Sequence, residues 1–162
     1  MNNKPKRLLC SWQEFTPITK KQLQESREQN DGKIILKGIL QKADTLNQNG
    51  RVYPKHILER EVENYQKYIL EHRATCHCDH PDDSVVALKE VSHNIIKTWW
   101  EGNVVLGKIE ILNTPNGKIL QTLIEDGIKL GISSRGVGST EKDGDYYTVQ
   151  DDFQLICWDF VS

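Results

Sequence analysis

Gly131-Ile132-Ser133-Ser134-Arg135-Gly136-Val137-Gly138-Ser139 puts three glycines, three serines and an arginine into nine residues, directly after an apolar run. Glycine permits backbone angles that other residues avoid and lets a second chain come close, so the stretch reads as a turn that exposes Ser133 and Ser134. A serine hydroxyl is a weak nucleophile near neutral pH and needs a base to take its proton. The candidate base is His80, within Cys76-His77-Cys78-Asp79-His80-Pro81. On residues alone, a serine and a histidine this far apart are also an ordinary coincidence, and both readings stand at this point.

Working outward from that stretch, Thr114-Pro115 opens a short helix with Ile119, Leu120, Leu123 and Ile124 on its buried face and Gly127 at its C-terminal cap. Val85 to Trp100 and Val104 to Leu112 read as two antiparallel strands around Glu101-Gly102-Asn103, with Trp99 and Trp100 as packing residues of the hairpin. Leu58, Val62, Tyr65 and Ile69 recur at helical spacing behind Pro54, which predicts an amphipathic helix packed on a sheet. Ile34 to Leu46 opens as a core strand with a bend or bulge at Gly38. Leu8 to Phe15 reads as a short strand ended by Pro17. Thr19 to Gly32 reads as a surface loop or a poorly anchored helix, so residues 1–32 count as a poorly defined N-terminal extension. Beyond the serine stretch, Glu141 to Asp145 makes a charged hairpin tip, and Tyr146 to Val149 and Phe153 to Val161 are strands. Strands and helices do not alternate regularly. The expected class is therefore α+β, a mainly antiparallel, partly closed β-barrel flanked by a few helices, in a single domain spanning residues 1–162.

With 37% apolar and 27% charged residues, a net charge of -2 and a pI near 6.2, the chain has no basic footprint, so nucleic acid is not expected as a partner. The cluster Lys4, Lys6 and Arg7 reads as a solvated terminus. No apolar run reaches membrane-spanning length, so no membrane partner is expected. Cys10, Cys76, Cys78 and Cys157 are too few and too scattered for a disulfide framework, which points to a reducing compartment. Cys76, His77, Cys78, Asp79 and His80 are all ligand types that zinc accepts. Their spacing is too tight for one tetrahedral site without a second pair drawn from His72, His93 or Cys157, so no metal or other cofactor is expected.

The order of motifs resembles the prohead (procapsid) maturation proteases of tailed bacteriophages, whose fold is distantly similar to herpesvirus assemblin. The resemblance is carried by LNQNGRVYPKHIL at Leu46 to Leu58, CDHP at Cys78 to Pro81, Val91 to Lys118, the serine stretch, and the closing CWDFVS. It implies a serine endopeptidase that cleaves phage scaffold, core and capsid proteins inside the immature head, in the host cytoplasm, and it allows a homo-oligomer. His80, directly before the proline, takes the role of base and Ser133 that of nucleophile. Relatives commonly carry Gly-Glu-Leu where this chain has Cys76-His77-Cys78. They also continue past a Pro-Ser, in a segment within which this chain stops at Ser162, so the C-terminal end is open at this point. The alternative from another class is a catalytically silent structural or assembly protein of the same barrel fold, because fold does not fix function. An intact Ser133 and His80 favour the protease.

Around that pair, a backbone amide of Arg135 or Gly136 is expected to supply an oxyanion donor. Ser134 is expected as a structural neighbour, and Arg135 as a clamp on the loop through carboxylate or carbonyl contacts. For the group that orients His80, Asp79 points the wrong way in an extended segment, and Asp82 and Asp83 lie in a polar loop. Asp159 sits in an apolar strand, where an acid needs a partner, and the family carries an aspartate in the matching strand. Asp159 is assigned this third role, the alternative being a solvent-facing aspartate on an edge strand. Asn at position 159 is expected to cost turnover but little stability.

Overall fold

Strands outnumber helices in the regular structure of the computed structural model, which describes residues 5–15 and 18–162. In chain order the elements are β1 (Arg7–Glu14), α1 (Lys20–Gln29), β2 (Ile34–Lys42), β3 (Arg51–Val52), α2 (Lys55–Leu70), β4 (Thr75–His77), β5 (Val91–Glu101), β6 (Val104–Ile111), α3 (Pro115–Glu125), β7 (Gly131–Gly138), β8 (Thr140–Asp143), β9 (Tyr146–Val149) and β10 (Gln154–Val161). Pro17 and Lys4, which figured in the sequence reading, lie outside the described residues.

Among the described residues the strands divide over three sheets, ordered β1-β7-β10, β2-β6-β5-β4 and β3-β9-β8. All ladders are antiparallel except β3 with β9. The α+β class is therefore as expected, but no barrel closes. An isolated parallel bridge between Cys78 and Phe160 joins β10 to the segment after β4, and no ladder fills the gap between the two larger sheets. The core lies between these sheets and the helices. Leu58 and Tyr65 of α2, Leu120 of α3, Ile95 and Ile109 of the second sheet, and Trp158 and Phe160 of β10 all pack into it. The rings of Tyr65 and Trp158 meet edge to face at 5.0 Å.

Three local readings change. The serine stretch is not a turn; it is β7, the central strand of its sheet. Its glycines answer packing and not turning, for none of Gly131, Gly136 and Gly138 has a positive φ. A Cβ on Gly131 would lie 2.2 Å from the Trp12 indole nitrogen, and one on Gly136 would lie 2.4 Å from the Phe153 ring. The described part of the N-terminal region is not loose either, since β1 pairs along its whole length with β7 and buries Leu9 completely. Thr19 and Gln22 form a reciprocal capping box on α1, and Leu23 anchors that otherwise polar helix in the core. Finally, Ile119 is exposed, because the helical period that buries Gly117, Leu120 and Ile124 turns position 119 outward.

Gly38 also differs in role. The β2 bulge falls between Ile39 and Gln41, and Gly38 instead makes room for the Phe15 ring. The tightest glycine is Gly117, where a Cβ would stand 1.9 Å from Leu112 O and 2.9 Å from Ser92 O, both backbone atoms. Helix propensity alone favours alanine over glycine by about 1 kcal/mol. The clash reverses the sign, so Gly117→Ala is expected to destabilise the fold by about 2 kcal/mol or more in urea unfolding.

Candidate active site

Alternate residues of β7 face opposite sides of the sheet. Ile132, Ser134 and Gly136 face the core. Ser134 is fully buried, with its hydroxyl 2.6 Å from Ser11 Oγ. Ser133 and Arg135 face the other side, where the register sets Asp159 directly beside Ser133 and Cys157 beside Arg135. A bulge in β10 between Leu155 and Cys157 makes this register possible. It shifts the alternation by one, so that Leu155, Trp158 and Phe160 enter the core while Asp159 turns to the face of Ser133.

Asp159 is completely buried, and both of its oxygens are held. Oδ1 accepts from the His77 backbone N–H (2.8 Å) and from the Cys157 thiol (3.2 Å). Oδ2 accepts from Arg135 Nε (2.8 Å) and pairs with His80 Nδ1 (2.6 Å). Burial alone would raise the Asp159 pKa. The hydrogen bonds from His80 and Arg135 outweigh it and hold the value at about 2.

The loop bearing His80 is fastened to the same strands. Asp79 N–H donates to Phe160 O at 2.7 Å, and Asp79 itself takes a left-handed φ of 73°. Farther along, Arg135 NH1 donates to Asp83 O (3.1 Å) and Val85 O (2.9 Å), so one buried guanidinium contacts both the carboxylate and the loop carbonyls. His77 Nε2 accepts from Ala87 N–H at 3.0 Å, closing the loop from its other end. For His80, burial pulls the pKa down, but the Asp159 hydrogen bond, helped by the nearby Cys10, lifts it to about 9. Its Nε2 is buried and has no hydrogen-bond partner among the described residues. His80 and Ser133 line one open groove together with Cys10, Trp12, Gln48 and Asn49.

Ser133, His80, Asp159 and Arg135 are thus brought to one face. Ser134 and Gly136 are not. The two expected oxyanion donors are the backbone amides of Arg135 and Gly136. Both lie in β7, with Arg135 between Cys10 and Cys157 and Gly136 between Leu9 and Leu155, and the β10 bulge falls opposite them. His93, one candidate for a second zinc pair, uses its two ring nitrogens on Ser92 Oγ and Trp158 O, each at 2.8 Å. Sequence reasoning missed His77, Cys157, Cys10 and Trp12. His77 and Cys157 drew notice only as candidate zinc ligands, and Trp12 left a signal as a large aromatic residue in an N-terminal strand.

A family model described as prohead core protein serine protease matches residues 14–161. The chain belongs to this family. It is 33% identical over 139 residues to the prohead core protein protease of Enterobacteria phage T4, across 79% of this chain and 66% of that protein, so it spans about two thirds of that relative's length. The solved structure of the bacteriophage T4 capsid assembly protease superposes with a TM-score of 0.84 at 27% identity, over 98% of this chain and 99% of that one. Ser133, Arg135, His80 and Asp159 all fall within the matched span, while Cys10 and Trp12 of the groove lie before it.

The ionic network fixes the pH behaviour of this family member. His80, raised from 6.5 to about 9, adds stability that is complete below pH 6.5 and lost as pH rises through 9. Asp159, lowered from 3.8 to about 2, adds stability that is present above pH 3.8 and lost as pH falls through 2. Asp159→Asn removes both contributions and leaves Arg135 buried without its counter-charge. Contrary to the sequence expectation, it should cost about 3–5 kcal/mol in denaturant unfolding. In the same variant the His80 ring, followed by NMR, should titrate well below 9.

Proposed function

We propose that this protein is a serine endopeptidase of prohead maturation, with Ser133 as nucleophile, His80 as general base and Asp159 as the group that orients His80. The observation that carries the reading is the short Asp159–His80 contact, which occupies Nδ1 and leaves Nε2 unpartnered at the groove that Ser133 lines. In this scheme Nε2 takes the Ser133 proton as Oγ attacks the scissile carbonyl, then gives it to the leaving amine, and water repeats the sequence on the acyl-enzyme. Asp159 stabilises the imidazolium formed on the way and fixes the ring.

The family and the T4 relatives support phage scaffold, core and capsid proteins as substrates, cut inside the prohead. Of the described residues, none of the helices is long and apolar enough to cross a membrane.

Ser133→Ala is expected to lower kcat by on the order of 10⁶ while leaving the unfolding midpoint nearly unchanged. Ser134→Ala should lose about 1 kcal/mol of stability with its Ser11 hydrogen bond and keep cleaving. Scaffold cleavage retained by the first variant and lost by the second would reverse the assignment. Because an imidazolium cannot accept a proton, kcat/KM should rise with pH along a limb centred near 9. A profile already flat from pH 7 upward would contradict the role given to His80.

A further inference from the structure

β1 is an edge strand: β7 covers one side, and among the described residues no strand covers the other. The direction of its peptide groups is fixed at two points. Phe15 N–H bonds inward to Leu130 O (3.0 Å). Cys10 O faces outward, where it accepts from Asn49 Nδ2 (2.8 Å) and Arg51 NH1 (3.0 Å). Backbone groups alternate along a strand, so Trp12 N–H, Trp12 C=O and Glu14 N–H also lie on the outer edge. Asn49 and Arg51 close that edge at Cys10, and the free length begins at Trp12.

A groove follows this free length, with Ser11 to Glu14 on one wall and Gln41, Lys42 and Thr45 to Gln48 on the other. It is continuous with the groove of Ser133 and His80, for Trp12 and Gln48 line both. The wall opposite β1 carries two buried amide donors, Gln41 Nε2 and Asn47 Nδ2, neither with a hydrogen-bond partner among the described residues. In each case the other end of the amide is anchored. Gln41, 1% exposed, accepts from Trp158 Nε1 (3.1 Å). Asn47 Oδ1 accepts from the backbone N–H groups of Asn49 (2.9 Å) and Arg51 (3.0 Å). An unmet buried donor is unfavourable, and a peptide carbonyl in the groove would relieve it.

We infer that this groove is the substrate cleft, and that it takes an extended polypeptide as an added strand on the Trp12–Glu14 edge, with Gln41 and Asn47 donating to its carbonyls. The inference rests on the peptidase reading above and names the substrate class: a chain segment already free of secondary structure. Main-chain hydrogen bonds then carry binding on this side of the scissile bond, as they do when a peptide adds to a sheet edge. A folded surface cannot offer its backbone to β1, so cleavage falls on linkers and tails of the target proteins.

Glu14→Pro deletes one outward N–H that lies outside the β1–β7 ladder, and proline is tolerated at such edge positions. Glu14→Ala is its side-chain comparison. Asn47→Asp keeps the anchoring Oδ1 and replaces the free donor with an acceptor. The readout, on the full chain, is the ratio of casein cleavage to labelling of Ser133 by a small fluorophosphonate, which reports the nucleophile without the cleft. With one hydrogen bond lost, the ratio should fall roughly five- to tenfold for Glu14→Pro relative to Glu14→Ala, and for Asn47→Asp relative to wild type. Should Glu14→Pro fail to fold, Asn47→Asp carries the test. A fall in either variant supports the cleft, and unchanged ratios in both overturn it. A wild-type chain that neither labels at Ser133 nor cleaves casein overturns the peptidase reading itself, and the cleft with it.

Discussion

The buried pair of Arg135 and Asp159 holds the rest of the site in place. Two charges removed from water are costly, and their mutual attraction offsets this only when the remaining donors and acceptors are met. Here they are met almost completely: the guanidinium contacts Asp159, Cys157 and two loop carbonyls, while the carboxylate takes a backbone N–H, a thiol, the arginine and an imidazole. The pair ties β7 to β10 and binds both strands to the loop from His77 to Ala87. Removing either charge would release a strand contact and the loop together.

Much of this architecture is legible in the sequence wherever a periodic pattern is strong. The hairpin of β5 and β6, the stripe on α2 and the capped helix α3 all follow from apolar spacing and turn residues that act locally. Where composition conflicts with long-range packing, reading fails. Gly131-Ile132-Ser133-Ser134-Arg135-Gly136 has the composition of a turn, yet it is a central strand because Trp12 and Phe153 need the room that a Cβ would fill. α1 reads as a loop or a poorly anchored helix because its polar residues hide one anchoring leucine.

The site divides in the same way. Ser133 and His80 stand out through a resemblance in motif order, and Asp159 through the oddity of an acid in an apolar strand. The partners that give Asp159 its character do not stand out. A backbone N–H at His77 and a thiol at Cys157 become ligands of a carboxylate only through register, and that register depends on one bulge in β10. Nothing in Gln-Leu-Ile-Cys-Trp-Asp-Phe-Val marks where the alternation slips, other than the bulk of Trp158 and Phe160, which the core needs.

The loop fastening has a consequence for how the molecule comes together. His80 meets Asp159 across 79 positions of chain, and Arg135 reaches Asp83 O across 52. Contacts of such separation form late, after local hairpins and helices, because closing long loops is slow. On the proposed mechanism, a partly folded chain therefore owns its serine but has no base poised beside it. Hydrolytic competence, on that reading, becomes a readout of completed folding, and the molecule stays harmless to its neighbours until its own sheets have met.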